Sequence, residues 1–352
     1  MLQARNSKRF EENMKLKDLA EHLQLSQTTV SRALNGYPEV AEETRQRIVE
    51  AARQFGYRPN AAARRLATGR TGSVAILFPA ERNLLVDPHF SDFLAGLAEK
   101  FGEADMDLSL KATRKADELE TYRRLTTMGR VDGFIVSSPR SHDERLSLLA
   151  GLNVPFAVHG RSQDGLTFPF FDIDNEGAFR RATDLLLDLG HERIALLNGI
   201  RDLNFARARE EGFRSALAER GISAEPELIF NGPMVEELGY RQTCRLIDRP
   251  SRPTALLAAS VLLAFGAYRA ARDRGLAIGK DISIIAHDDG LPFLKAETLE
   301  PPLAATVSSI RNGGYRLAEI LLERIAGKPV SELQEIAPVD LVFRSSVGSA
   351  RK

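Results

Sequence analysis

From Ser73 onward the chain alternates short apolar runs with amphipathic stretches, and no other feature restricts the fold as strongly. Strand-like runs fall at 74–79, 108–111, 133–137, 156–159, 194–198, 255–259 and 283–287. Helical spacing of apolar residues appears between them, at 90–101, 178–189, 207–220 and 262–274. A strand–helix alternation of this kind buries each strand on both faces, which predicts an α/β body of parallel sheets covered by helices. The alternation is too long for one sheet, and residues 170–175 are a natural crossing between two lobes. Ligands of open α/β sheets sit beyond the carboxyl ends of the strands, so the expected site is the cleft where two such lobes face each other.

Composition removes several functions. The chain has 352 residues, room for two or three domains, and a single cysteine, Cys244. No internal disulfide or cysteine-based zinc site can form, and Cys244 in YRQTCRLI reads as a packing residue. No apolar run reaches the roughly 18–20 residues of a membrane span. The first residues lack an apolar segment, so a soluble cytoplasmic protein is expected. There is no Gly-rich phosphate loop, no G-x-S-x-G and no HExxH, which leaves an enzyme without a motif. His287-Asp288-Asp289 has the residue types of a metal cluster but no partner motif; no metal and no cofactor are expected. A solute-binding protein suits the lobes alone, but the head described next argues against it.

Net charge is zero, yet unevenly spread: residues 1–70 carry 13 Lys and Arg against 8 Asp and Glu, the remainder 35 against 40. A basic head on an acidic body suggests that the head meets a polyanion. Within the head, 17–23 forms one helix, Ser26 caps a second that runs to about Asn35, and 42–55 forms a third. Two short helices joined by a tight turn and braced by a third make a helix-turn-helix. The outward residues Gln27, Thr28, Thr29, Ser31 and Arg32 suit base edges and phosphates, although a generic three-helix bundle with a solvated face has the same pattern. Residues 61–67 (AAARRLA) are too short to hold a helix alone and would form one only with a partner. Two arginines beside an exposed leucine suit a wedge into the minor groove.

With those residues in place, the stretches TVSRALN and YRPNAAARRLATGRT make the chain resemble the lactose-repressor (LacI/GalR) family of bacterial transcription regulators, over about residues 14–343. DNEGAFRRATDLLLDLGHERIALLNG, ARAREEGFRSAL and ISIIAHDDG extend the resemblance through the body. It implies a tail at 1–13 without order, Met14 being an alternative start, a DNA-binding domain at 14–59, a hinge helix and linker at 60–70, and a core at 71–346. The core would be two lobes like periplasmic sugar-binding proteins, one at about 73–172 and 304–335, the other at about 173–303 and 336–346. By position, Gln27, Thr28 and Arg32 match residues that read bases; Leu16, Ser26, Thr29, Ser31, Asn35, Thr44 and Asn60 match positions at the DNA backbone. Leu66, with Ala63 beside it, matches the leucine that wedges the operator centre. Effector contacts implied in the same way are His89, Phe90, His159, Arg161, Arg207, Ser260 and Asp288.

Three departures stand out. Gln24 occupies the turn position where the family usually has glycine, at a cost of about 1 kcal/mol if it is left-handed. Ser260-Val261 replaces an Asn-Asp pair. Met234 and Ser308 stand where sugar-binding relatives often have an aromatic and a longer polar residue, which points to a roomier, less polar pocket on the second lobe. The resemblance implies a repressor that binds a palindromic DNA operator as a dimer and is controlled by a small-molecule effector, a mono- or disaccharide or a ligand that is not a sugar. No leucine heptad follows the last strand at 340–343, so a homodimer rather than a tetramer is expected.

Overall fold

The computed structural model describes residues 14–34, 37–57, 70–80 and 84–351, which divide after Gly72 into two compact units. The smaller unit is a three-helix domain of α1 (Leu16–Leu23), α2 (Gln27–Leu34) and α3 (Glu42–Gln54). Leu19, Ala20, Val30, Ala33, Ile48, Ala51 and Ala52 are buried at helical spacing on the three helices, and Val40 before α3 completes the core. Gln24 ends α1 at φ 56°, the left-handed turn anticipated for it. Ser26 Oγ accepts from Thr29 N at 3.0 Å and so caps α2 as its position foretold. The hinge at 61–67, Asn35, Asn60, Ala63, Leu66 and residues 1–13 lie outside the described residues.

The larger unit holds two six-stranded sheets. The first runs β11-β5-β4-β3-β1-β2, with β1 (Ser73–Pro79), β2 (Asp107–Thr113), β3 (Gly133–Ser137), β4 (Phe156–His159), β5 (Phe170–Ile173) and β11 (Gln334–Ala337), all parallel. The second runs β12-β10-β9-β8-β6-β7, with β6 (Ile194–Asn198), β7 (Ile229–Asn231), β8 (Ala255–Ala258), β9 (Ser283–Asp288), β10 (Ala304–Val307) and the antiparallel edge strand β12 (Asp340–Val342). Helices α4 (Pro88–Glu103), α5 (Glu118–Thr127), α6 (Glu144–Gly151) and α11 (Ile310–Ile325) accompany the first sheet; α7 (Asn175–Asp188), α8 (Asn204–Glu219), α9 (Glu236–Ile247) and α10 (Val261–Asp273) accompany the second.

The chain crosses between the lobes three times, the second and third times later than the sequence suggested. Residues 304–307 belong to the second lobe, since β10 pairs Ala304 with Ile285 and Thr306 with His287. The crossing follows at Ser308-Ser309, where Ser309 caps α11. Residues 336–337 complete β11 in the first lobe, and the third crossing lies between β11 and β12. The tail beyond residue 346 is also built in: Gly348 O accepts from the buried His191, and Ala350 N donates to Leu189 O.

Helix packing in both lobes relies on glycine. A Cβ on Gly96 of α4 would lie 1.9 Å from Arg311 O of α11, and one on Gly314 would lie 2.3 Å from Phe93 O. Gly239 and Gly266 bring α9 and α10 together in the same reciprocal way. The axis approach this allows fixes α4, and α4 carries residues of the cleft at its first turns.

Beneath α6 sits a buried ionic group. Arg145 Nε and Nη2 donate to Asp143 at 2.8 and 2.6 Å, Nη1 reaches Glu118 at 3.3 Å, and Nη2 also meets the carbonyls of Ser137 and Ser138 at 3.3 and 3.4 Å. Ser138 is left-handed at φ 50°, a strained backbone held by these bonds. The Arg145 guanidinium and two backbone N–H groups outweigh burial and lower the Asp143 pKa. Its stabilisation is therefore present above the ordinary carboxylate pKa and lost as pH falls through the lowered one. Asp143→Ala, which strands a buried guanidinium, is expected to cost about 3–5 kcal/mol, read by urea unfolding at pH 7. An unchanged midpoint would contradict that reading.

Candidate functional site

In each sheet the strand order reverses direction once, between β1 and β3 in the first and between β6 and β8 in the second, and the carboxyl ends there face a common cleft. The cleft has a volume of about 700 Å³ and takes residues from both lobes. The first lobe contributes Asp87, His89, Phe90 and Phe93 from the start of α4, Ser137 and Ser138 at the end of β3, and His159 and Arg161 at the end of β4. From the second lobe come Asn175, Phe205, Arg209, Met234, Leu262 and Asp289. Ser308 and Ser309 line it at the crossing.

The polar groups form two connected sets. In one, Asp172 at the end of β5 accepts from Arg161 Nε at 2.8 Å and from Asn175 Nδ2 at 3.0 Å. Asn175 Oδ1 in turn accepts from Arg209 Nε at 2.8 Å, and Arg209 Nη1 donates to Ala259 O at 2.6 Å. The Arg209 guanidinium lies 5.0 and 5.1 Å from the ring centroids of Phe179 and Phe205. It is only 4% exposed, and among the described residues no carboxylate forms an ion pair with it. Burial lowers its pKa to about 10 against the more distant charges of Asp289 and Asp172, so it stays cationic at neutral pH. His159 stacks on Phe93 at 4.6 Å, and desolvation lowers its pKa, leaving a neutral ring.

The second set centres on Asp289. His89 Nε2 lies 3.2 Å from its Oδ2, and His287 Nε2 lies 3.3 Å from its Oδ1. Burial disfavours a charged His89, but hydrogen bonds and charge from Asp289 and Asp87 outweigh that and raise its pKa to about 10. Asp289 is held well below the carboxylate range, against burial, by His287 and His89. Burial and the Arg209 charge lower the pKa of His287, whose ring spans Thr306 Oγ1 at 2.9 Å and Ser308 Oγ at 3.1 Å.

Four of the seven effector positions inferred from sequence, His89, Phe90, His159 and Arg161, line the cleft. Three need correction. Arg207 is exposed and borders a separate surface groove with Arg140, Arg201 and Arg214; the arginine in the cleft is Arg209. Two helical residues are about 200° apart, so only one of the pair can face inward. Asp288 turns back to accept from Gly290 N at 2.9 Å, and Asp289 takes its place in the cleft. Ser260 does not line the cleft; its hydroxyl caps α10 by accepting from Leu262 N at 3.1 Å and lies 3.2 Å from His89 Nε2. Met234 and Ser308 do line it, on a largely apolar second-lobe wall with Pro233, Val235 and Leu262.

Sequence reasoning missed Arg209, Asp172, Asn175 and Asp289. For Arg209 a signal was present: it lies three residues from Ala206 and from Gly212 and four from Phe213, on the face those residues bury. The short FDIDN run carried the other pair at a lobe crossing.

On the head, Gln27, Thr28 and Arg32 are exposed on α2, while Leu16, Thr29, Ser31 and Thr44 are half-buried. Thr29 Oγ1 lies 2.8 Å from Ser26 Oγ, so both hydroxyls serve the helix start. Among the described residues no group of three or more His, Cys, Asp or Glu could hold a metal ion, and no helix is long and apolar enough to cross a membrane.

Comparison with known proteins agrees with this architecture. Residues 15–60 match the domain of bacterial regulatory proteins of the lacI family, and residues 183–347 match a periplasmic binding protein-like domain. The HTH-type transcriptional regulator AglR of Rhizobium meliloti is 48% identical over 336 residues, covering 95% of this chain and 94% of its own. RafR of Escherichia coli, also an HTH-type transcriptional regulator, is 34% identical over 91% of this chain and 95% of its own. Among solved structures, the lac repressor dimer bound to operator and an anti-inducer is 26% identical with a TM-score of 0.77, over 96% of this chain and all of that one. The transcriptional regulator CelR in complex with cellobiose is 27% identical with a TM-score of 0.70, over 95% and 100%. A head with an exposed recognition helix, a two-lobed body with a cleft and relatives matched along nearly the whole chain place this protein in the lacI family of bacterial regulatory proteins, as a DNA-binding transcriptional regulator.

Proposed function

We propose that a saccharide with room for two rings occupies the cleft and controls how a dimer of this chain holds a palindromic operator. The observation that carries the reading is that Arg209, Asn175, Asp172 and Asp289 all line one cleft together with the apolar Pro233, Met234, Val235 and Leu262. Sugar hydroxyls need charged donors and acceptors in close alternation, and sugar C–H faces need apolar surface. The cleft volume of about 700 Å³ lies within the roughly 300–1,000 Å³ of small-molecule sites. CelR has been solved with cellobiose, and another LacI-family regulator, from Enterococcus faecium, with ribose. A ligand that binds one lobe arrangement better shifts the population toward it, and the head reads that shift through the linker. Two heads of a dimer would meet half-sites about 34–36 Å apart, with Gln27, Thr28 and Arg32 toward the bases.

Among the described residues no carboxylate pairs with Arg209, which favours a second reading, a saccharide that carries a carboxylate. Thermal shift of the purified protein against cellobiose, maltose, ribose and galacturonate separates the two. Stabilisation by a neutral disaccharide supports the first, stabilisation by galacturonate alone supports the second, and no shift with any of them contradicts both.

The head gives its own test. Replacing both Gln27 and Arg32 by alanine should weaken binding to a selected operator roughly 30- to 25,000-fold, since each good base contact is worth about 1–3 kcal/mol. The saccharide-induced thermal shift should not change. Electrophoretic mobility shift and thermal melting of the same preparation check both halves.

A further inference from the structure

His89 links the lobes in a way that ligand binding alone does not require. It stands at the second position of α4 in the first lobe, and its backbone N–H and Nδ1 both lie 3.0 Å from Asp87 Oδ1. Its Nε2 reaches across the cleft to two second-lobe groups, Asp289 Oδ2 and Ser260 Oγ, each at 3.2 Å. The ring is largely buried, so these bonds form where water screens little. We propose that His89 is a charged latch that holds the two lobes closed on one another, and that Asp87 and Asp289 act as positioning residues on either side of it.

The geometry supports this in three ways. Both nitrogens of the ring face carboxylates, an arrangement only the imidazolium satisfies, because it alone donates from both. Asp289 is fixed on its far side by the neutral His287, which is itself held by Thr306 and Ser308, so the acceptor is preset rather than recruited. A second, main-chain clamp closes the same gap elsewhere: Asn204 N donates to Pro139 O at 3.0 Å, and Ser141 N to Asp202 O at 3.4 Å. The clamp is pH-independent, whereas the latch is not.

The charged groups facing the ring are Asp87 from its own turn and Asp289 from the end of β9, with Asp288, His287 and Arg209 behind Asp289. Burial opposes the charged ring, but hydrogen bonds and charge from Asp289 and Asp87 outweigh it and raise the imidazole pKa to about 10. A group with a raised pKa contributes fully below its ordinary value near 6.5 and loses that contribution as pH rises through the raised one. The latch therefore stays engaged throughout the neutral range and releases only near pH 10. It is independent of which ligand the cleft takes.

The test places spin labels at Gln163→Cys and Arg207→Cys in a Cys244→Ser background. Both positions border the surface groove between the lobes, outside the cleft. Pulsed electron resonance on the full chain without ligand should give a short-distance population at pH 7. His89→Leu and Asp289→Asn should each raise the long-distance fraction by about tenfold, the worth of one charged hydrogen bond. The double variant should add little beyond either single one. In the parent the long-distance fraction should rise between pH 9 and 11, and His89→Leu should lack that step. Unchanged distances in both variants would overturn the proposal. So would a pH step that survives in His89→Leu, or a His89→Leu protein that loses ligand-induced stabilisation with its distances intact, which would make His89 a ligand contact only. A variant that fails to fold is replaced by His89→Gln, which keeps one donor without the charge and should show the pH-independent, partly open distribution.

Discussion

Arg209→Met is expected to leave operator binding intact and to cut affinity for the cleft ligand about 10- to 150-fold. The side chain is anchored on two sides, through Nε to Asn175 Oδ1 and Nη1 to Ala259 O, with Phe179 and Phe205 against its plane. Its position is thus preset, so a bond from it to ligand requires little ordering. A hydrogen bond to a charged group is worth about 1.5–3 kcal/mol, which sets the expected loss. Methionine keeps the apolar volume between the two rings. It removes a buried cation that has no ion-pair partner among the described residues, and in exchange leaves Asn175 Oδ1 and Ala259 O short of a donor. These effects oppose each other, so melting of the unliganded protein should move little while the ligand-induced shift disappears. Arg207→Ala is the matched control and should keep the full ligand response. If Arg207→Ala loses the response and Arg209→Met retains it, the cleft has been assigned to the wrong arginine.

Gly96→Val should bring a large loss of stability. The added Cβ would meet the Arg311 carbonyl at 1.9 Å, and the partner there is backbone of a long helix, not a side chain that can turn away. Either α4 and α11 separate or α4 shifts along its axis, and overpacking of this kind costs about 3 kcal/mol or more. For a unit of this size that corresponds to a fall in Tm of roughly 6–12 °C. Because α4 begins with the cap Asp87 and with His89, the same shift should weaken ligand binding. Gly102 lies on the same helix with nothing within 4 Å of its would-be Cβ. Gly102→Ala should therefore be neutral or stabilising by up to about 1 kcal/mol, from helix propensity alone. Equal melting of the two variants would contradict the packing argument.

What the sequence made legible follows from how much each signal owes to local pattern. Strands β3, β4 and β6 were readable to the residue because they are continuous apolar runs bounded by turns. β10 (AATV) and β11 (QEIA) were not, since small or alternating polar residues leave no apolar run, and only the pairing with β9 and β5 makes them strands. That is why the second crossing was placed before β10 rather than after it. In the site, the positions fixed by a strand end or a Pro-capped helix start (His89, Phe90, His159, Arg161) all line the cleft. Arg207 and Asp288 failed because a match by offset ignores the face: one residue along a strand or two along a helix reverses the side-chain direction. Helical spacing from Gly212 and Phe213 contained the correction for Arg209. Nothing local indicated that His89 and Asp289 would meet across the cleft, because that contact depends on how two sheets from distant segments face each other.

Occupancy of the cleft is expected to alter the grip of the head on DNA. The most direct measurement is selection from a randomised duplex pool by the purified protein, with and without a mixture of cellobiose, maltose, ribose and galacturonate, repeated with Arg209→Met. A palindrome should be enriched whose yield changes with the mixture for the parent and does not change for Arg209→Met. Enrichment that is indifferent to every ligand in the parent, or a response that survives in Arg209→Met, would contradict it.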